Sequence, residues 1–361
     1  MGGILSHDKR GSLIAVGVML AGLLIFAFII TGDLTGQTIT CRPATEQTPG
    51  TPCNFFETLS LGAFGTIVLS GLLQGMLLFL VASGLSIIFG LMDVLNFAQG
   101  SLFMIGAYVG WQVQHAPEMM NIVPDPNLRF VVGVIAAILV GAALGVVLER
   151  GLLRPLYVRP VFQLVATFGV SLIALEVVRA IWGTSPRTWT SDFVLNEGLF
   201  VFFGQTFSNY RLVVIGVGIL VVISITVLLQ RTRIGIIIRA GVEDSQMVEA
   251  LGINVRLVFT GVFTLGCAVA AFGGVMAAPF LGASNAMGSE FLLGAIAAVV
   301  LGGLGSYEGT AIASVLVGLT RAVVAAFSVR YLNMPVLETM TPMFLMAAVL
   351  LLRPRGLFGK E

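Results

Sequence analysis

Asp93, Asn96 and Gln99 stand three residues apart in the stretch GLMDVLNFAQGSLF, residues 90–103, with Gly100 and Ser101 directly behind them. Side-chain amides both donate and accept hydrogen bonds, so Asn96 and Gln99, with backbone freed by a helix break, suit contact with a passing polar solute rather than bond-making. A second polar interruption, VVLGGLGSYEGT at residues 299–310, gathers Gly302, Gly303, Gly305, Ser306 and Glu308. The residues that usually carry catalysis are scarce. Histidine occurs only at His7 and His115 and lysine only at Lys9 and Lys360, so neither an imidazole-based catalytic centre nor a His-rich metal site is expected in the apolar segments, and no cofactor is implied. Lys9 follows Asp8 and Lys360 precedes Glu361. Neither fits a phosphate-binding loop, which needs lysine after a glycine-rich turn and before Ser or Thr. Any ATP use must belong to a partner.

The elements that position these residues are apolar helices. The 361-residue chain is 57% hydrophobic and 10% charged, with a mean hydropathy of +1.01, whereas soluble domains carry about 25% charged residues. That excludes a soluble globule and predicts an all-α, polytopic membrane bundle. Crossing the hydrocarbon takes about 20 apolar residues. By that rule about ten segments are expected, over residues 12–31, 62–90, 100–114, 129–148, 161–182, 211–230, 257–279, 291–304, 310–328 and 337–352. The third, eighth and tenth are short, which half-helices, tilted spans or misplaced ends would each explain. The 44 glycines suit such a bundle, because helices in lipid associate by close packing over small residues.

Positive charge in the loops sets direction. With the N-terminus inside, inner loops hold Lys9, Arg10, Arg150, Arg154, Arg159, Arg231, Arg233, Arg239, Arg256, Arg353, Arg355 and Lys360, while the outer side holds Arg42, Arg129, Arg187, Arg211 and Arg330. This asymmetry predicts that both termini are cytoplasmic. The first segment starts like a signal peptide, but FIITGDLTG lacks a small-x-small cleavage site, and it is read as a retained anchor. Behind it, CRPATEQTPGTPC puts Cys41 and Cys53 in an oxidising compartment on a stretch that can close a ring, which suits a disulfide, with two free thiols as the alternative. Cys267, inside an apolar span, suits ordinary packing. Residues 1–57 are thus expected to form an anchor with a periplasmic cysteine-containing loop, and residues 58–361 the main bundle.

Irregular backbone at membrane depth is tolerated only where protein buries it or water fills a cavity, and polar side chains there usually face an interior or a pathway. Asn96, Phe97, Gln99 and Gly100 therefore either break a helix beside a solute pathway or form a short cytoplasmic turn. Gly302, Gly303, Gly305 and Ser306 make a second break. Two such interruptions in opposite halves of a transporter point to a central pathway, with close glycine packing as the alternative. The inner loop RTRIGIIIRAGVEDSQMVEALGINVR, residues 231–256, predicts a short helix capped by Asp244 or Ser245 and stopped by Gly252. Met247 and Leu251 share one face of it, with Val248 alongside. Such a helix docks in a groove on another protein or lies along the inner surface. Glu176 and Arg179 are three apart and suit a structural pair. Arg321 lies mid-segment without a local acid; Glu176, a neighbouring subunit and the pathway are its options.

LNFAQGSLFMIGAYVG resembles the signature of permease subunits from branched-chain amino acid ABC importers, in which Asn-Phe-Ala-x-Gly recurs. The resemblance continues in order through LERGLLRPLYVRP, ATFGVSLIALEVVRAIWG, IRAGVEDSQMVEALGINV, VVLGGLGSYEGT and LLRPRGLFG, across roughly residues 58–361. It implies an ABC importer permease domain in a bacterial inner membrane, moving leucine, isoleucine, valine or a related small organic solute without changing it covalently. It implies as partners ATP-binding-cassette ATPase subunits, a second permease in a heteromeric complex, a periplasmic solute-binding protein and membrane lipid, but no nucleic acid. The groove for the short inner helix would then belong to an ATPase. Glu249, Ala250 and Gly252 match the coupling-loop pattern, and Arg239 and Glu243 lie on the same loop. Three departures stand out: Gln99 where the family often has histidine, Tyr307-Glu308 where an Ile-Pro-like pair is common, and the extra leading segment. A stand-alone channel or ion-coupled carrier for a neutral solute such as urea also fits the polar breaks, but not the coupling-like loop.

Overall fold

The computed structural model describes Gly17, Gly22 and residues 61–92, 95–157, 159–190, 199–202, 205–243, 245–328, 334, 336–353 and 356–358. The expected anchor and the Cys41–Cys53 loop lie outside the described residues, apart from the two isolated glycines. The described elements run α1 (Leu61–Met92), α2 (Ala98–His115), α3 (Pro117–Ile122), α4 (Pro126–Leu148), a π turn (Glu149–Leu153), a 3₁₀ turn (Arg154–Leu156), α5 (Pro160–Trp182), β1 (Leu199–Phe202), β2 (Gln205–Ser208), α6 (Tyr210–Arg231), α7 (Arg233–Glu243), α8 (Ser245–Ala250), α9 (Val255–Leu281), α10 (Met287–Gly302), α11 (Tyr307–Phe327) and α12 (Val336–Leu352). The chain is an all-α polytopic bundle, with one small hairpin among the described residues, in which Leu199 pairs with Ser208 and Phe202 with Gln205.

Helices α1, α4, α5, α6, α9 and α11 are long and apolar enough to cross a membrane. The segments expected to be short are short: α2 has 18 residues, α10 has 16 and α12 has 17. At 1.5 Å per residue they reach about 24–27 Å, slightly less than the ~30 Å hydrocarbon core. Local chemistry sets several starts. Asp125 accepts from the Asn127 amide at 2.9 Å and Pro126 occupies the first turn of α4. Asn254 accepts from the Leu257 amide at 3.1 Å at the start of α9, and such capping side chains satisfy amides that a helix leaves unpaired.

Helix α1 is the axis, with 83% of its most apolar window buried against 17% for α5 at the periphery. Leu73, Leu77, Leu78, Val81 and Leu85 on α1 form the core with Phe103, Phe291 and Val317, and the Phe103 and Phe291 rings stack at 4.3 Å. Helix α9 threads between α1, α2 and α4 on small residues: Gly84 lies against Gly266, Gly106 against Ala271, and Gly141 and Gly145 against Cys267. Cys267 is fully buried there as a packing residue.

The three tryptophans gather at one end of the bundle. Trp182 donates to Gln112 Oε1 at 2.8 Å, Trp111 donates to the Thr188 carbonyl at 2.9 Å, and Trp189 meets His115 edge-on at 5.3 Å. Aromatic rings of this amphipathic kind favour the membrane–water boundary. This is the tryptophan end; the two helix breaks lie toward the other.

Candidate functional site

The first break separates α1 from α2. Asp93 lies outside the described residues, but Asn96 and Gln99 are 1% and 0% exposed. Gln99 Nε2 donates to the Gly266 carbonyl at 2.8 Å, and Asn96 Nδ2 donates to Gln99 Oε1 at 3.3 Å. Asn96 Oδ1 accepts from the Ala98 amide at 3.1 Å, and Thr167 Oγ1 accepts from the Phe97 amide at 3.3 Å. Phe97 sets its ring edge-on to Phe168 at 6.2 Å. Gly266 lies about 16 Å along α9 from Val255, counted at 1.5 Å per residue, so this corner sits within the bundle. A side chain at Gly100 would fall 2.1 Å from the Gly288 carbonyl oxygen. Gln99 thus ties the corner to α9, and the Phe97 backbone amide ties it to α5.

The second break uses backbone instead. Helix α10 ends at Gly302, and Gly303 and Gly305 turn the chain at φ +99° and +79°, a left-handed region that only glycine adopts readily. Ser306 Oγ then accepts from the Gly309 amide at 3.2 Å and starts α11. Residues from the end of the chain close the turn: Leu357 donates its amide to the Leu301 carbonyl at 2.8 Å and Phe358 to the Gly302 carbonyl at 3.1 Å. Those carbonyls belong to the last helical turn, which has no intrahelical donor for them. The two breaks touch. Gly90, near the end of α1, faces Gly305 so closely that a Cβ would lie 3.4 Å from its Cα, and the Thr310 hydroxyl bonds the Ser86 hydroxyl at 3.1 Å.

An arm made of α7 and α8 leans on this region. The α8 helix begins at Ser245, as expected, and Gly252 at φ +83° stops it. The Gly252 amide donates to the Glu249 carbonyl at 2.9 Å and the Ile253 amide to the Val248 carbonyl at 3.3 Å, the paired closure of a Schellman end. Val248 turns inward at 4% exposed, while Met247 and Leu251 are 64% and 71% exposed. Glu249 and Ala250 are exposed beside them. Arg239 donates to the Leu229 carbonyl at the end of α6. Asp244 and the side chain of Glu243 lie outside the described residues. Ile238 of the arm is buried with Phe79 and Ile87 of α1, Ile225 of α6, Val262 of α9 and Tyr307 of α11. The arm therefore shares one apolar cluster with Ile87, just before the first break, and Tyr307, just after the second.

Sequence reasoning missed several contacts. Tyr307 meets Phe79 edge-on at 5.6 Å, and Glu308 accepts from Gln230 Nε2 at 2.6 Å, so the unusual Tyr-Glu pair anchors α11 to α1 and α6. Glu149, fully buried on the π turn, accepts from the Tyr157 hydroxyl at 2.5 Å and the Thr260 hydroxyl at 2.6 Å. Burial, then that bond to Glu149, push the Tyr157 hydroxyl well above the usual phenol range, so it stays a donor. Glu176 and Arg179 pair at 2.7 Å with both side chains well exposed. Arg321 does not reach Glu176: its partner is Glu338 on α12, at 3.4 Å. Seventeen residues and a change of helix separate the two, too far for a same-face spacing rule to connect them.

A family model described as "branched-chain amino acid transport system / permease component" matches residues 67–353. The chain belongs to this permease family. It is 29% identical over 299 residues to the high-affinity branched-chain amino acid transport system permease protein LivH of Salmonella typhimurium, covering 81% of this chain and 94% of that one. The corresponding permease protein BraD of Pseudomonas aeruginosa is 30% identical over 301 residues, covering 81% and 95%. A probable LivH permease of Methanocaldococcus jannaschii is 28% identical over 307 residues, covering 82% and 91%. A solved chain of PsaBC from Streptococcus pneumoniae, in complex with Fab, aligns at 12% identity and a TM-score of 0.43 over 79% of this chain and 91% of that one, too low a score to establish a common fold. As a member of its family the chain is a multi-pass inner-membrane permease subunit of an ABC importer, and separate ATPase subunits hydrolyse ATP.

Proposed function

We propose that this permease passes branched-chain amino acids (leucine, isoleucine and valine) into the cytoplasm. A periplasmic binding protein delivers the solute, and a second permease subunit completes the channel. Both termini and the break end face the cytoplasm, and the tryptophan end faces outward. The excess of cations in the inner loops supports that direction.

One observation carries the mechanism: Ile238 of the arm is buried with Ile87 and Tyr307, which flank the two breaks. Met247 and Leu251 on α8 offer an exposed apolar pair to a groove on the ATPase, with Glu249, Ala250 and Gly252 around them and Arg239 and Glu243 on the adjoining helix. When the ATPase shifts α8, the rigid Gly252 closure and the Ile238 cluster carry the shift to both breaks. Asn96, Phe97, Gln99 and Gly100, together with Gly302, Gly303, Gly305 and Ser306, form the inner end of the pathway. Their part is to hold a closed corner that opens as α1 and α11 move apart.

Glu249→Arg and Gly252→Trp test this reading. Both variants should insert and co-purify with the second permease, yet lose solute-stimulated ATP hydrolysis and uptake in proteoliposomes. Normal uptake by both would overturn the coupling role.

A further inference from the structure

Helices α4, α5 and α6 present broad apolar faces, including Ile135, Leu139, Val165, Leu172, Leu220 and Ile223, as lipid demands. The face made by α10, α11 and α12 differs. It holds a cleft of about 60 Å³ lined by Glu290, Leu293, Arg321, Thr339, Pro342 and Met343. Glu290 and Thr339 are exposed, the Arg321 side chain is 16% exposed, and that of Glu338 is 31% exposed. Ionisable groups within a bundle are costly toward hydrocarbon and usually face a water-filled cavity or partner groups. Arg321 lies about 9 Å inside the Phe327 end of α11, at 1.5 Å per residue. Glu290 and Glu338 occupy the first turns of their helices. The cleft is therefore near the tryptophan end, where a solute enters in the proposed orientation.

Arg321 is under-used. Its recorded hydrogen bond is the 3.4 Å contact to Glu338, and its buried Nε has no partner. A guanidinium offers a planar fork of five donors matched to a carboxylate. Glu290 lines the same cleft with negative charge suited to an ammonium, and Leu293, Pro342 and Met343 give an apolar wall. We propose that this cleft is an entry site for a zwitterionic aliphatic α-amino acid: Arg321 takes the carboxylate, Glu290 the ammonium, and the apolar wall the side chain. The site rests on the amino-acid importer reading. Its volume, on the scale of a few water-sized groups, suits a small head group and not a peptide.

The test uses the assembled importer, with its ATPase partners, in nanodiscs, with Cys41 and Cys53 replaced by serine and Thr339→Cys as reporter. A membrane-impermeant maleimide should label the reporter. Leucine should slow labelling about tenfold or more, the scale of a charged hydrogen bond. 3-Methylbutylamine, which lacks the carboxylate, and 4-methyl-2-oxopentanoate, which lacks the ammonium, should not protect, because a site built on such bonds rejects analogues without them. Arg321→Met should abolish leucine protection, Arg321→Lys should keep part of it, and Glu290→Gln should weaken it. An unlabelled reporter, no protection by leucine, or equal protection by the amine overturns the site. If Arg321→Lys and Glu290→Gln both lose their co-purifying subunits and leucine gives no protection, the cleft is a subunit contact and the proposal falls. Radiolabelled leucine uptake separates the two readings: wild-type liposomes that take up none defeat the amino-acid reading itself, whereas uptake with an unprotected reporter defeats the entry site alone.

Discussion

The two breaks do the same geometric job by different means. At the first, the buried Gln99 amide reaches across to Gly266 on α9, and Asn96 braces it locally by donating to Gln99. At the second, glycines turn the backbone and a distant segment supplies the closing amides. A side-chain latch tolerates modest changes in shape so long as a donor remains. A backbone latch tolerates no added volume, because its contacts are main chain on main chain. The arm shares one apolar cluster with Ile87, before the first corner, and Tyr307, after the second; under the proposed coupling, a single displacement would act on a specific hydrogen bond at one corner and on a steric fit at the other.

That contrast breaks most sharply at Gly302. A Cβ there would lie 2.5 Å from the Gly309 carbonyl carbon and the Thr310 nitrogen, so Gly302→Val should abolish a monodisperse folded peak in size-exclusion chromatography. A normal peak would mean that the second break is not sterically set. Gln99→Leu removes the second donor to the Gly266 carbonyl and leaves the buried Asn96 Nδ2 without its acceptor, and should lower stability by about 1–3 kcal/mol, read as a lower melting temperature in detergent. Gln99→His keeps a donor and should cost less; equal losses would deny the latch its hydrogen-bonding character. Leu357→Pro removes the amide that closes on Leu301 and should cost about 1 kcal/mol, seen as faster hydrogen exchange confined to residues 303–306. Smallest is Glu176→Gln. Its pair with Arg179 is exposed, and such pairs contribute about 0–1 kcal/mol, so the melting temperature should hardly move.

The bundle was legible because long apolar runs admit one reading in lipid, and the limits of α1, α5 and α6 fall within a few residues of those expected. The short lengths of α2, α10 and α12 were legible too. Local chemistry likewise exposed the Ser245–Ala250 helix with its Gly252 stop and the Glu176–Arg179 pair, since both depend on residues three to seven apart. What stayed hidden depends on distance along the chain. Nothing in the spacing says that Gln99 meets a carbonyl at Gly266, that Arg321 answers Glu338, or that Leu357 closes α10. The amides at Asn96 and Gln99 were readable as meaningful polarity in an apolar setting. Whether they met solute, water or protein was not, because backbone carbonyls carry no sequence signature.

The closure of α10 by Leu357 and Phe358 also bears on how the protein is made. The amides that complete the second break are synthesised only after α11 and α12, more than fifty residues behind the carbonyls they satisfy. During translation the glycine turn at 303–305 is therefore made before the amides that close its helix end, and the corner can be completed only once α11, α12 and the segment behind them have followed.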